Sequence, residues 1–411
     1  MRQSNEQKMK TGTFLILLSL TVGCFCSEAT ASILTNTFAK FDENAKKGAQ
    51  LSVVFFGGSL TWGAQATDPT RTSYRALISA RLQKTYPAAH FEFWDASIGG
   101  VGSQLGAFRL ERDVLAHKPD LVFLEFTIND GPYTPPDSDR LASYESLVRR
   151  MVQADVPVVQ VILPAKKDVL PNPPARPLDA KHKEIAQAYG LAVADVVALV
   201  KARVAEGRAT PDELWDAPPD VTHPGDQGYA LYAEAVWNGL QNAITQNTQC
   251  RIPPAMLNAD TYMTINRFKL ASLEKLPPGW RVGKPVRSAI AFDFTPSRWM
   301  DSVVIASRAK EDTPSPKPLV LTVAGRDLLF FGETTMHSGK YRVLLDGKEI
   351  KSVDVGSLGQ HGNWRYIETI AQNLAASVHR IEIIPDLAPG QELRLESLCV
   401  AGPPARVEVG R

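Results

Sequence analysis

The sequence predicts an α/β protein in two parts: a three-layer α/β/α domain built on a five-stranded parallel sheet, followed by a β-sandwich. Three observations carry that expectation. From residue 51 to about residue 247, apolar strand-like runs alternate with amphipathic helical stretches. Beyond Cys250 the pattern changes to short β-rich runs separated by turn residues. At 411 residues the chain also exceeds the size at which a single core stops growing.

In the first part the strand-like runs are Leu51 to Phe56, Phe91 to Ala96, Asp120 to Phe126, Val156 to Leu163 and Leu191 to Val196. Val53-Val54-Phe55-Phe56 and Val122-Phe123-Leu124 are continuously apolar, the mark of strands buried on both faces. Helical spacing covers Ser73 to Tyr86, Gln104 to His117, Leu141 to Ala154, Asp179 to Tyr189 and Gly225 to Ile244. Repeated βα units specify a parallel sheet with helices on both faces. In the second part, Tyr341 to Leu345 and Glu349 to Val353 flank Asp346-Gly347, a strong hairpin signal. Leu319 to Val323, His379 to Ile384 and Glu392 to Leu398 add strands, and no long helix is expected after about residue 275. The expected division is a leader over 1–31, an α/β domain over 32–250 and a β-sandwich over 251–411, with the boundary in the Gln-, Asn-, Thr- and Pro-rich stretch 246–260. Leu170 to Pro177 and Thr313 to Pro318 read as surface loops.

Arg2, Lys8 and Lys10 precede the apolar run Thr13 to Val22, and Ala29-Thr30-Ala31 follows. A basic region, a short apolar run and an A-x-A site make an export signal cut near Ala31, and the run is too short to span a bilayer. A secreted or periplasmic protein is expected. Leu20-Thr21-Val22-Gly23-Cys24 loosely matches a lipoprotein box, with Thr21 where a leucine is usual, so a lipid anchor on Cys24 is the weaker alternative. Cleavage leaves Cys250 and Cys399, which in an exported chain are either a disulfide or two buried thiols.

A composition of 44% hydrophobic and 22% charged residues is that of a globular protein. The net charge of +1 and the lack of a basic stripe interleaved with aromatics exclude the electrostatic footprint of a nucleic-acid binder. His90, His117, His182, His337, His361 and His379 have no metal-ligand spacing, so neither a metal nor another cofactor is expected.

Four short segments can carry chemistry. Gly57-Gly58-Ser59-Leu60-Thr61 places a serine directly after a buried strand, where a turn into a helix exposes its Oγ. Ser97-Ile98-Gly99-Gly100-Val101-Gly102-Ser103 follows the second strand and can aim backbone N–H groups into a cleft. Thr127-Ile128-Asn129-Asp130 follows the third, and Asp220-Val221-Thr222-His223-Pro224-Gly225 precedes the last helix. A serine needs an imidazole to take its proton, and the imidazole needs a carboxylate to fix its tautomer. Asp220 and His223, three apart in one loop, supply both.

The order of these segments resembles the SGNH (GDSL-type) hydrolase superfamily. The resemblance covers about residues 50 to 245 and implies a flavodoxin-like domain of strand order 2-1-3-4-5. It makes Ser59, His223 and Asp220 the catalytic triad, and Ser59, Gly100 and Asn129 the oxyanion hole. Gly100 is preferred to Gly99 or Gly102 because Ala96 to Leu110 resembles the equivalent stretch of bacterial lysophospholipase/thioesterase-like members. Two departures stand out: Gly58 replaces the aspartate usual before the serine, and Thr127 replaces a glycine of the third block. Asp130 is read as a brace for its loop. Trp62 and Trp215 are either a sugar-stacking wall or rim cover, and Lys166 and Lys167 either face an anion or are solvated.

The resemblance implies a secreted serine esterase working through an acyl-enzyme. Export with an appended β-sandwich suggests deacetylation of a carbohydrate or polysaccharide, an argument by analogy. An acylated small molecule, a short-chain acyl ester or a lysophospholipid remains open as the substrate, and the alternative functions are a polysaccharide O-acetyltransferase using the same triad and a non-catalytic glycan-binding protein.

Overall fold

The computed structural model describes residues 35–286, 300–359, 362–375 and 377–409. The expected export signal, Cys24 and His361 lie outside the described residues.

Five parallel strands form the central sheet of the first part: β1 (Gln50–Gly57), β2 (His90–Ser97), β3 (Leu121–Glu125), β4 (Val158–Ile162) and β5 (Ala192–Asp195). Their order is β2-β1-β3-β4-β5, as the family resemblance implied. Gly57, at the carboxyl end of β1, lies in register with Ser97 of β2 and Glu125 of β3. The turns that follow β1, β2 and β3 therefore leave from one line across the sheet, at the switch point where open α/β sheets bind ligands.

The helices are α1 (Phe38–Lys46), α2 (Ser59–Trp62), α3 (Tyr74–Thr85), α4 (Ser103–Asp113), α5 (Ser138–Gln153), α6 (Pro177–Tyr189), α7 (Val196–Ala205), α8 (Pro211–Leu214) and α9 (Asp226–Thr245). Ser73 caps α3 through an N–H bond from Ala76 at 3.2 Å, which explains its start. Helix α7 has no counterpart in the sequence reading. Its apolar start Val196-Val197 runs straight on from β5, and Asp195 ends the strand and caps the helix by accepting the Ala198 N–H at 3.0 Å.

The second part is two antiparallel sheets built from β6 (Ile265–Lys269), β7 (Trp280–Gly283), β8 (Val303–Arg308), β9 (Leu319–Ala324), β10 (Asp327–Thr335), β11 (Lys340–Leu345), β12 (Lys348–Asp354), β13 (Asn363–Ala371), β14 (Val378–Asp386), β15 (Gln391–Ala401) and β16 (Arg406–Val409). One sheet runs β13-β10-β15-β8-β7 with β6 beside β15; the other runs β12-β11-β14-β9-β16. The expected hairpin is β11 and β12, and Asp346 and Gly347 turn it at φ of 52° and 80°.

Strand β10 is buried along its whole length. Leu328 and Phe330 enter the sandwich core, while the alternate residues Leu329 and Phe331 join the core of the α/β part. Strand β8 divides Val304 and Ala306 from Val303 and Ile305 in the same way. The sandwich thus turns the outer face of one sheet onto the α/β part, and the chain from Ala31 onward is one compact unit. Among the described residues no helix is long and apolar enough to cross a membrane.

Cys250 and Cys399 form no disulfide; both are free, buried thiols. Cys399 sits in mid-strand on β15, in register with Leu329 and Arg267, while Cys250 follows α9 and packs beside the backbone of Val158. Each fills a core position on a different element. Burial pushes the thiols up to about 11 for Cys250 and about 12 for Cys399, which keeps them protonated.

His182 of α6 is fully buried and stacked on Tyr144, ring centroids 3.8 Å apart, and neither ring nitrogen has a partner among the described residues. Burial, helped by the Arg176 guanidinium, pushes it down to about 3. The unfolded chain therefore takes up a proton below about pH 6.5 that the folded chain refuses, so His182 destabilises the fold as pH falls. Buried Glu125 and Asp130, raised to about 7, act in the opposite direction. The comparison with His182→Phe isolates the histidine: between pH 7 and 4.5 wild type should lose about 2–3 kcal/mol more than the variant in urea unfolding. Equal losses would mean that the folded state accommodates the imidazolium.

Candidate active site

Strand β1 delivers Ser59 at the first position of α2, whose N–H has no intrahelical acceptor. The residue is 7% exposed, and its Oγ lies 2.7 Å from Nε2 of His223. The other ring nitrogen, Nδ1, lies 2.7 Å from Oδ2 of Asp220. Oδ1 of Asp220 accepts the backbone N–H groups of Thr222 at 2.8 Å and His223 at 3.0 Å, so one carboxylate shapes the turn and holds the ring. Burial opposes ionisation of Asp220, but these bonds outweigh it and hold the group below the usual carboxylate range.

Two neighbouring loops face Ser59. Gly100 adopts φ of +66°, and Asn129 brings its side-chain amide against Gly58: a Cβ on Gly58 would lie 2.1 Å from Asn129 Nδ2. Gly58 itself has φ of −100°, open to any residue. The amide, not the backbone, is what a side chain at this position would meet, so any residue larger than glycine must displace it. Asn129 Nδ2 donates to no acceptor among the described residues. Thr127, the second departure, turns its hydroxyl to the Val161 carbonyl at 3.2 Å and fills buried space between β3 and β4.

Asp130 braces the loops as expected, its Oδ1 accepting the Ser103 N–H at 2.8 Å and so tying the Asn129 turn to the Gly100 turn. Burial pushes its carboxyl up to about 7. Glu125 lies beneath the Ser59 turn, where burial lifts it to about 7 against the N–H groups of Gly58 and Ile128.

Residues 55–231 match the model of the GDSL-like Lipase/Acylhydrolase family. The α/β domain belongs to that family. It is an ester-hydrolysing domain. No curated protein matches the chain. Among solved structures, a two-domain esterase active on acetylated mannans is similar over 89% of this chain and 95% of its own, at 24% identity and a TM-score of 0.70, both alone and with mannopentaose. An acetylxylan esterase from Geobacillus stearothermophilus covers 47% of this chain and 96% of its own, at 24% identity and a TM-score of 0.40.

Two arginines that steady the acylhydrolase site, Arg109 and Arg140, carried no signal in the sequence. Arg109, 1% exposed, donates to the carbonyls of Ala96 at 2.7 Å and Gly57 at 3.2 Å, clamping the ends of β2 and β1 from which two of the loops start. Arg140 donates to the Asn129 carbonyl at 2.5 Å. Lys166 donates its backbone N–H to the Val221 carbonyl at 2.8 Å, anchoring the Asp220 to His223 loop, and its ammonium pairs with Asp212 at 2.7 Å. Lys167 lies over the Tyr133 ring. Trp215 is 1% exposed and bonds the Thr222 carbonyl from behind, so it supports the histidine loop and cannot be a sugar-stacking wall. Trp62 is half-buried in α2.

Proposed function

We propose that the protein is an exported carbohydrate esterase that removes acetyl groups from a polysaccharide through an acyl-enzyme on Ser59. The observation that carries this reading is the continuous chain of hydrogen bonds from Ser59 Oγ through the His223 ring to Asp220, at 2.7 Å for each step. In it, His223 Nε2 takes the hydroxyl proton as Oγ attacks the acetyl carbonyl, while Asp220 fixes the tautomer and balances the imidazolium. The Ser59 and Gly100 N–H groups and the Asn129 amide receive the negative charge on the carbonyl oxygen. As the tetrahedral intermediate collapses and the acetyl C–O bond breaks, His223 hands its proton to the departing sugar oxygen, which leaves as a hydroxyl, and water repeats the sequence to release acetate and free Ser59.

The two-domain esterase of similar fold acts on acetylated mannans, which supports a glycan as the acyl carrier. The N-terminal segment supports export. The test is acetate release from acetylated mannan and acetylated xylan by purified protein, with p-nitrophenyl acetate as a small substrate and a fluorophosphonate probe. The expected result is turnover of a glycan and labelling of wild type but not Ser59→Ala. Labelling without glycan turnover would move the acyl group to another carrier, and no labelling would remove the serine mechanism.

A further inference from the structure

The acylhydrolase site has a wall that comes from the sandwich. Strand β13 is an edge strand, and its alternation sends Asn363, Arg365 and Ile367 to the side on which Ile367 meets the core of the α/β domain. Arg365 reaches Gly100. A Cβ on that glycine would lie 1.6 Å from Arg365 Nη2 and 2.8 Å from Nε, so the edge of the guanidinium that carries both nitrogens lies along the loop. The guanidinium also sits 4.4 Å over the Trp364 ring, a cation–π contact that sets its orientation.

This cation has no anionic partner among the described residues. Its cross-strand neighbour Glu333 is the natural one, but that carboxylate is engaged by Arg394 Nε at 2.6 Å, by the Asn363 amide and by the Val286 N–H at 3.0 Å. Burial lowers Arg365 to about 10 with nothing opposing it. A partly desolvated charge without a counter-charge is costly, and a ligand that supplies one recovers that cost. The guanidinium fork matches a planar carboxylate with two parallel hydrogen bonds.

Resting on the reading of the site as a polysaccharide deacetylase, we propose that Arg365 is a subsite for a substrate carboxylate, so that the preferred substrate is an acidic glycan carrying a uronic acid next to the acetylated sugar. The sandwich then selects the substrate as well as covering the domain.

A matched pair of polymers tests this: an acetylated glucuronoxylan and the same polymer with its carboxylates reduced to hydroxyls, each assayed by acetate release. Wild type should show kcat/KM about ten- to hundredfold higher on the carboxylated form. Arg365→Gln should bring that ratio close to one, and Arg365→Lys should keep part of it. Equal wild-type turnover of the two polymers overturns the proposal without any variant. A drop in Arg365→Gln that is equal for both polymers also overturns it, assigning the guanidinium to the reacting carbonyl. Loss of inhibition by free acetate in Arg365→Gln, without any polymer preference in wild type, overturns it in favour of the product as the anion. If neither polymer yields acetate while p-nitrophenyl acetate is cleaved, the polysaccharide reading itself fails and this subsite falls with it.

Discussion

His223→Ala should lower kcat for acetyl ester hydrolysis on the order of 10⁵–10⁶-fold with little change in KM, and Ser59→Ala should do the same. Both expectations follow from the two 2.7 Å steps: without the ring, the hydroxyl has no proton acceptor, and no second base stands within hydrogen-bond distance of Ser59 Oγ among the described residues. The double variant should be no slower than either single one, because the groups act as a unit. Asp220→Asn should cost on the order of 10⁴-fold, since an amide facing Nδ1 favours the wrong tautomer. It should also loosen the turn, because Oδ1 holds the Thr222 and His223 N–H groups. Acetate release in a pH-stat, with urea unfolding to check each fold, measures all four variants. A His223→Ala protein within about tenfold of wild type would exclude the histidine as the base.

The centre of the sheet was legible because β1, β3 and β4 are buried on both faces and read as largely apolar runs, and each site segment directly follows a strand or precedes the final helix. Strand β10 was not legible for the same physical reason taken further. Its residues are buried alternately in two different cores, so no polar face marks its period. Helix α7 was hidden by valines that continue the strand before it. The arginines that shape the site were beyond reach: Arg109 acts on backbone carbonyls, and Arg365 approaches Gly100 from a strand more than 260 positions along the chain, inside an ordinary sandwich sequence. The choice between a disulfide and two buried thiols could not be made from the sequence, because cysteine spacing carries no information about whether two core positions meet; the structure shows the buried thiols and not the disulfide.

Asn129→Ala should lower kcat on the order of 10²–10³-fold, about 3 kcal/mol, with KM little changed, as expected for a donor used only when charge develops on the carbonyl oxygen. Gly58→Ala should produce a loss of about 10²-fold by a different route. The new methyl group would overlap Asn129 Nδ2, and the Asn129 backbone cannot retreat. Arg140 holds its carbonyl at 2.5 Å, while the next residue, Asp130, is fixed by its N–H to Phe126 and its carboxyl to Ser103. The amide must rotate away from the site instead. The two substitutions then remove the same donor, so the double variant should match Asn129→Ala alone, with an interaction energy close to the whole Gly58→Ala effect. If the two losses add, Gly58 serves the Ser59 turn itself, and the glycine that stands in place of the family's aspartate is explained by the nucleophile rather than by the amide beside it.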